Sequence, residues 1–231
     1  MKKTEEFIEK YKHLEALIRT NYNLKNDISL ITFFNSNSIF KPYLEKMRYI
    51  QDVRNLLQHK YKIGDEYPFE VADSLIKELD KMLETFSIRK RCKDIMLPYE
   101  KVYTASLDDK LYKTILHLKD KMYNHVPILQ NNSLIGVFDE ISLYELYING
   151  IKLNEETSFK DIRRYIDLFY RKREKFIFFD GNDYIDNLIL EFDKAYQEGK
   201  RIGLVFLNSS GKIDNHFNGI ISTSDIIGKI L

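Results

Sequence analysis

Along the first third of the chain, apolar residues return every three or four positions. Phe7, Tyr11, Leu14 and Ile18 form one stripe. Tyr43, Met47, Ile50, Val53 and Leu57 form a second over about 42–60. Val71, Leu75, Leu79, Met82 and Phe86 form a third, after the turn signal GDEYP. A repeat near 3.6 lines one face of a helix, so residues 1–86 are expected to be all-helical. The stretch FFNSNSIFKP fits either a loop or a broken helix.

The pattern changes after SIRKRCKD, residues 87–94, a basic connector with no clear apolar face. Short apolar runs now alternate with helical stripes. VYTAS precedes a helix with Leu111, Ile115, Leu118 and Met122 on one face; HVPIL, a turn at NNS, LIGVF and a helix through Leu143 and Leu146 follow. That order is β-α-β-β-α, and it recurs. FIFF, a helix through Ile185, Ile189 and Phe192, RIGLVFL, a turn around NSSGK, FNGII and a closing helix from Thr223 make the second copy. Gly136 and Gly219 head equivalent segments. The fold class is therefore α + α/β, an all-helical bundle followed by a tandem pair of β-α-β-β-α motifs at 95–150 and 176–231, with a helical connector at 151–175.

Composition narrows the function classes. Charge is nearly balanced, with 36 Lys and Arg against 35 Asp and Glu, so any basic footprint must be local. One cysteine, Cys92, rules out an internal disulfide and a cysteine-rich metal site. His13, His117, His125 and His216 form no ligand pattern with it, so no metal is expected. No apolar run approaches the roughly 20 residues that span a bilayer, which with the absence of a signal-peptide pattern reads as a cytoplasmic protein.

The string GIISTSD matches a Gly, two apolar residues, a hydroxyl residue, two variable residues and an Asp. In this pattern and setting residues 93–231 resemble a pair of CBS motifs, a Bateman module. The resemblance implies binding of AMP, ADP or ATP: Ser222 on phosphate, Asp225 on the ribose hydroxyls, and backbone around Phe178, Ile202, Gly203 and Leu204 against the base. The chemistry fits, since a carboxylate accepts from both ribose hydroxyls and a hydroxyl at a helix N-terminus suits phosphate. The same pair can also cap the helix. The first copy reads GVFDEIS, with Asp139 and Ser142 at those positions, and a carboxylate facing phosphate is repulsive. One occupied site per chain is expected.

In the helical part, RNLLQHKY resembles the R-x4-H-x-Y form of HEPN ribonucleases, HepT-like in its Tyr. The resemblance covers about residues 1–86 and implies a homodimer with its active site across the two-fold axis. Arg54, Asn55 and His59 would be catalytic, and Tyr61 would be a site-supporting residue or the target of a modifying enzyme or antitoxin. Metal-free RNA cleavage needs proton transfer at the 2′-hydroxyl and the leaving oxygen and a fixed cation for the anionic phosphorane, roles suited to His and Arg. On one helix, Arg54 and His59 diverge by about 140°, so they converge only if the helix ends near His59 or two chains contribute. Lys41, Lys46, Arg48, Arg54, Lys60 and Lys62 outnumber Glu45 and Asp52 there, and RKR at 89–91 extends the basic run. The combined expectation is an endoribonuclease, with RNA as substrate and no catalytic cofactor, regulated by an adenine nucleotide. Its rivals are a non-catalytic nucleotide sensor and an RNA-binding module without chemistry.

Overall fold

The computed structural model describes residues 2–59, 67, 69–121, 124–172, 174–214 and 216–230; for Lys2, His59 and residues 227–230 it describes the backbone alone. The chain forms two compact units, Met1–Lys90 and Arg91–Leu231.

The first unit is helical among its described residues, with α1 (Lys2–Asn21), α2 (Leu30–Ser36), α3 (Leu44–His59) and α4 (Asp73–Ser87). The expected stripes account for its core: Phe7, Tyr11, Leu14 and Ile18 of α1, Met47, Ile50 and Leu57 of α3, and Leu79, Met82 and Phe86 of α4 are buried. FFNSNSIFKP is a broken helix. Ser29 caps α2 through Thr32 N–H at 3.0 Å, and a 3-10 turn, Ser38–Tyr43, follows with Pro42 inside it. The break gathers Phe33, Phe34 and Phe40 around Phe86, with ring centroids 5.1 to 6.0 Å apart. Val71 is buried but lies outside α4, because Ala72 before the helix is extended at φ −70°, ψ 144°. Met122 and Tyr61 lie outside the described residues.

The second unit carries the two copies. The first contains β2 (Ala105–Ser106), α5 (Leu111–Lys121), β3 (His125–Gln130), β4 (Ser133–Asp139) and α6 (Glu140–Ile148). The short α7 (Arg163–Ile166) lies in the connector. The second copy contains β5 (Glu174–Asp180), α8 (Ile185–Gln197), β6 (Arg201–Asn208), β7 (Gly219–Ile221) and α9 (Thr223–Ile230). In each copy the helical crossover joins parallel strands, β2 to β3 and β5 to β6, and a hairpin adds an antiparallel strand. The expected β-α-β-β-α order is thus present twice. A further short strand, β1 (Leu97–Pro98), pairs antiparallel with β7 and extends the second sheet to the order β1-β7-β6-β5.

Residues 91–94, read from sequence as connector, belong to this unit. Cys92 is fully buried beside Ile95, Ile185 and Leu188, and its N–H donates to Asp183 O at 2.9 Å. The faces of the two copies share one core, in which Leu134 and Val137 of the first pack with Phe176, Phe178, Leu204, Phe206 and Ile220 of the second. Both glycines are required by close approach. A Cβ at Gly136 would sit 2.2 Å from Ile166 O, and one at Gly219 2.6 Å from Leu97 O.

Candidate functional site

In the helical unit, Arg54 and Asn55 come together. Arg54 Nη1 donates to Asn55 Oδ1 at 3.1 Å, and the guanidinium lies 5.2 Å from the Tyr11 ring centroid. Arg54 Nε and Gln51 Oε1 are buried with no hydrogen-bond partner among the described residues. Burial, helped by Glu15 and opposed by Arg54 and Arg19, pushes the Tyr11 hydroxyl up to about 12. His59 is the last residue of α3, its side chain and all of Tyr61 lying outside the described residues. On another face of α3, an open groove of about 510 Å³ runs between Tyr49 and Val53 and the residues leading into α4, Phe69, Val71 and Leu75.

The basic run around Arg54 is less exposed in charge than the sequence suggests. Lys46 pairs with Glu78 at 2.8 Å and Arg48 with Glu45 at 2.6 Å. Arg89 donates to Asn21 O at 3.1 Å and stacks on Tyr22, whereas Arg91 binds Asn182 O and stacks on Tyr184. The first and last arginines of the RKR segment are thus packed into different units.

In the second unit, Ser222 and Asp225 meet at the start of α9. Asp225 Oδ2 accepts from Ser222 N–H at 2.9 Å and lies 2.7 Å from Ser222 Oγ, which is itself 2.7 Å from Ser224 Oγ. Three polar side chains converge there on the first turn of a helix whose dipole favours anions. Of the four strand residues expected around a base, Ile202 and Gly203 line a cavity of about 270 Å³, while Phe178 and Leu204 put their side chains into the shared core. Thr223 lines the same cavity from α9, and Glu140 and Ile141 from α6, so the two helix starts open onto one space.

His125, Asp139, Glu174 and Arg201 of the remaining wall belong to a cluster of charges, centred on Arg171 behind it, that sequence reading did not assemble. Arg171 Nη1 contacts both Asp139 and Glu174; Nη2 donates to Ser142 Oγ at 2.7 Å and Val137 O at 3.1 Å. Arg201 Nε donates to Glu174 Oε1 at 3.0 Å, and His125 Nε2 stands 3.6 Å from both carboxylates. Burial pushes the Asp139 carboxyl up, although Arg171 opposes it. Burial also works against ionisation of Glu174, but His125 and Arg171 outweigh it and hold that carboxyl down to about 2. Gly203 passes so close that a Cβ would lie 2.7 Å from Glu174 Oε1 and 3.0 Å from His125 Nε2.

His125, Asp139 and Glu174 bring one imidazole and two carboxylates within 4.8 Å, a donor set acceptable to a divalent cation. Both carboxylates already bind the Arg171 guanidinium, which supplies the positive charge a metal would bring. The only sequence hint of this cluster is that Glu174 opens an apolar run, a carboxylate where a strand turns into the core.

No family model and no curated protein matches the chain. Similar solved structures include the CBS domain pair of protein MJ0100 in complex with 5′-methylthioadenosine and S-adenosyl-L-methionine. It is 17% identical over 62% of this chain and 97% of that one, with a TM-score of 0.44. CBSX2 in complex with AMP is 13% identical over 61% and 95%, with a TM-score of 0.45. A hemolysin-like protein containing a CBS domain, from Oenococcus oeni PSU, is 12% identical over 65% and 97%, with a TM-score of 0.46. The relation is one of distant similarity in fold. Among the described residues, no helix is long and apolar enough to cross a membrane.

Proposed function

We propose that the second unit is a CBS-type regulatory pair that binds one adenine nucleotide at its second copy. Asp225 takes the ribose hydroxyls, Ser222 and the α9 N-terminus take phosphate, and strand backbone around Phe178, Ile202, Gly203 and Leu204 meets the base. The observation that carries this reading is the junction of Ser222, Ser224 and Asp225 at the first turn of α9, where hydroxyls, a carboxylate and the helix N-terminus occupy one spot. Calorimetric titration of the full chain with AMP, ADP and ATP, with GMP as the base control, tests it. One adenine nucleotide should bind per chain, and Asp225→Asn, which keeps the shape of the helix cap, should weaken binding at least tenfold. Equal binding by the variant overturns the assignment.

A second reading concerns what the regulator controls. The Arg54–Asn55 contact, with the guanidinium braced on Tyr11, supports a helical unit that cleaves RNA without a metal, using Arg54, Asn55 and His59 in a homodimer. Arg54 stabilises the phosphorane, His59 moves the proton, and the 2′-hydroxyl requirement excludes DNA. Incubation with cellular RNA in EDTA should give 2′,3′-cyclic phosphate ends with the wild type and none with His59→Ala. RNA left intact by both would reduce the helical unit to a dimerising or partner-binding module under the same nucleotide control.

A further inference from the structure

Helices α6 and α9 begin with the same two residues in exchanged positions. In α9 the hydroxyl comes first and the carboxylate three residues later, Ser222 and Asp225; in α6 the carboxylate comes first, Asp139, and the hydroxyl follows, Ser142. Each pair ties its helix start, through different bonds. Asp139 Oδ1 accepts from Ser142 N–H at 2.8 Å, and Ser142 Oγ accepts from Asp139 N–H at 3.3 Å, as Asp225 accepts from Ser222 N–H at 2.9 Å. The exchange thus keeps a carboxylate on a backbone amide at each helix start and moves the negative charge from the fourth residue to the first. In the first copy it stands at the mouth of the helix, where the guanidinium of Arg171 meets it.

Strand register identifies what stands at the position of Arg171 in the second copy. Ala105 reaches Gly136 through Ile128, and Phe179 reaches Gly219 through Leu207, so Ala105 and Phe179 are equivalent, 74 positions apart. Seventy-four positions before Arg171 is Leu97, whose backbone pairs with Ile220, the residue after Gly219, while the Arg171 guanidinium reaches the carbonyl of Val137, the residue after Gly136. Where the second copy has an apolar side chain, the first has a guanidinium buried to all but 4% of its surface and bound to Asp139, Ser142, Val137 O and Glu174.

We propose that Arg171 is a tethered competitor at the first copy: beside the open cavity its guanidinium takes Asp139 and Ser142, the two side chains at the start of α6 that stand where Ser222 and Asp225 meet a nucleotide at α9, and it limits the chain to one nucleotide. This assignment rests on the second-copy reading for where a ligand sits. It also gives the exchange of Ser and Asp a purpose, because a carboxylate at the helix mouth binds the chain's own cation and repels phosphate.

The test is calorimetric stoichiometry with AMP on the full-length wild type and on the triple variant Asp139→Ser, Ser142→Asp, Arg171→Ala. The variant restores the Ser-x-x-Asp order and removes the competitor while leaving Glu174 with Arg201 and His125. It should bind one AMP more per chain than the wild type, and a folded variant that binds no more overturns the proposal. The two readings fail separately. None in the wild type and one in the variant removes the second-copy site and keeps the Arg171 assignment; one in each does the reverse; none in either removes both. If circular dichroism shows the variant unfolded, arginine-labelled wild type decides. The Arg171 Nη protons should exchange slowly and stay unmoved by saturating AMP; fast exchange, or a shift on AMP addition, overturns the assignment.

Discussion

Arg171→Met keeps a long side chain in the core and removes the cation from two carboxylates whose side chains are 3% and 1% exposed. Glu174 would keep Arg201 at 3.0 Å and His125 at 3.6 Å. Asp139 would keep weaker company, His125 at 3.6 Å and the amide and hydroxyl of Ser142 at 2.8 and 3.2 Å, and a buried carboxylate so placed takes a proton rather than remain charged. Protonating an aspartate of ordinary pKa at pH 7 costs about 4 kcal/mol, in line with the 3–5 kcal/mol typical of a broken buried pair. At pH 5 the same proton costs only about 1.5 kcal/mol. By linkage, Asp139 has a folded pKa already raised by burial, and removing Arg171, which opposes that rise, raises it further, so relative to the wild type the variant recovers stability as pH falls and loses it as pH rises. Urea unfolding of both proteins at pH 5, 6 and 7, followed by circular dichroism, should therefore show a loss that shrinks as pH falls, by at most about 1.4 kcal/mol per pH unit. Adding Asp139→Asn should flatten the dependence. A loss under about 1 kcal/mol at pH 7, or one equal at pH 5 and pH 7, would mean that Arg171 acts through packing and not through its charge.

Three further outcomes follow. Gly203→Ala should cost about 1–3 kcal/mol by urea unfolding, because its Cβ meets a Glu174 carboxylate that cannot retreat from Arg171 and Arg201; an unchanged midpoint would show that the charge cluster yields easily. Tyr11, buried and raised to about 12, leaves stability intact below pH 10; between 10 and 12 the unfolded chain ionises first, so stability should fall about 1.4 kcal/mol per pH unit more steeply in the wild type than in Tyr11→Phe. The Cys92 thiol, fully buried and pushed up to about 12 chiefly by burial, should resist iodoacetamide at pH 8 in the folded protein and react fully in urea; rapid labelling of the native chain would contradict its place in the core.

Much of the architecture is legible in the hydrophobic pattern, because burial is periodic wherever one face of an element meets a core. Phe7, Tyr11, Leu14 and Ile18 show this for α1, and the paired runs around Gly136 and Gly219 show it for the two copies. Periodicity misleads at Val71, which has helical spacing and is buried from an extended segment. Local chemistry is legible as well, since Ser222 with Asp225 and Asp139 with Ser142 each lie within one helical turn. What escapes is pairing between distant charges. Arg171 sits in the stretch read from sequence as a helical connector, and only the fold carries it 32 positions back to Asp139. The same blindness makes the stretch around Arg54 look more basic than it is, because Glu78 of α4 reaches Lys46 from outside the segment.

The most direct test of the account is the crystal structure of the full chain grown with AMP. The account predicts one AMP per chain, its ribose hydroxyls on Asp225, its phosphate at Ser222 and the α9 N-terminus, and Arg171 still on Asp139 and Glu174. An AMP bound at α6 in place of Arg171, or elsewhere with Ser222 and Asp225 uncontacted, would contradict it.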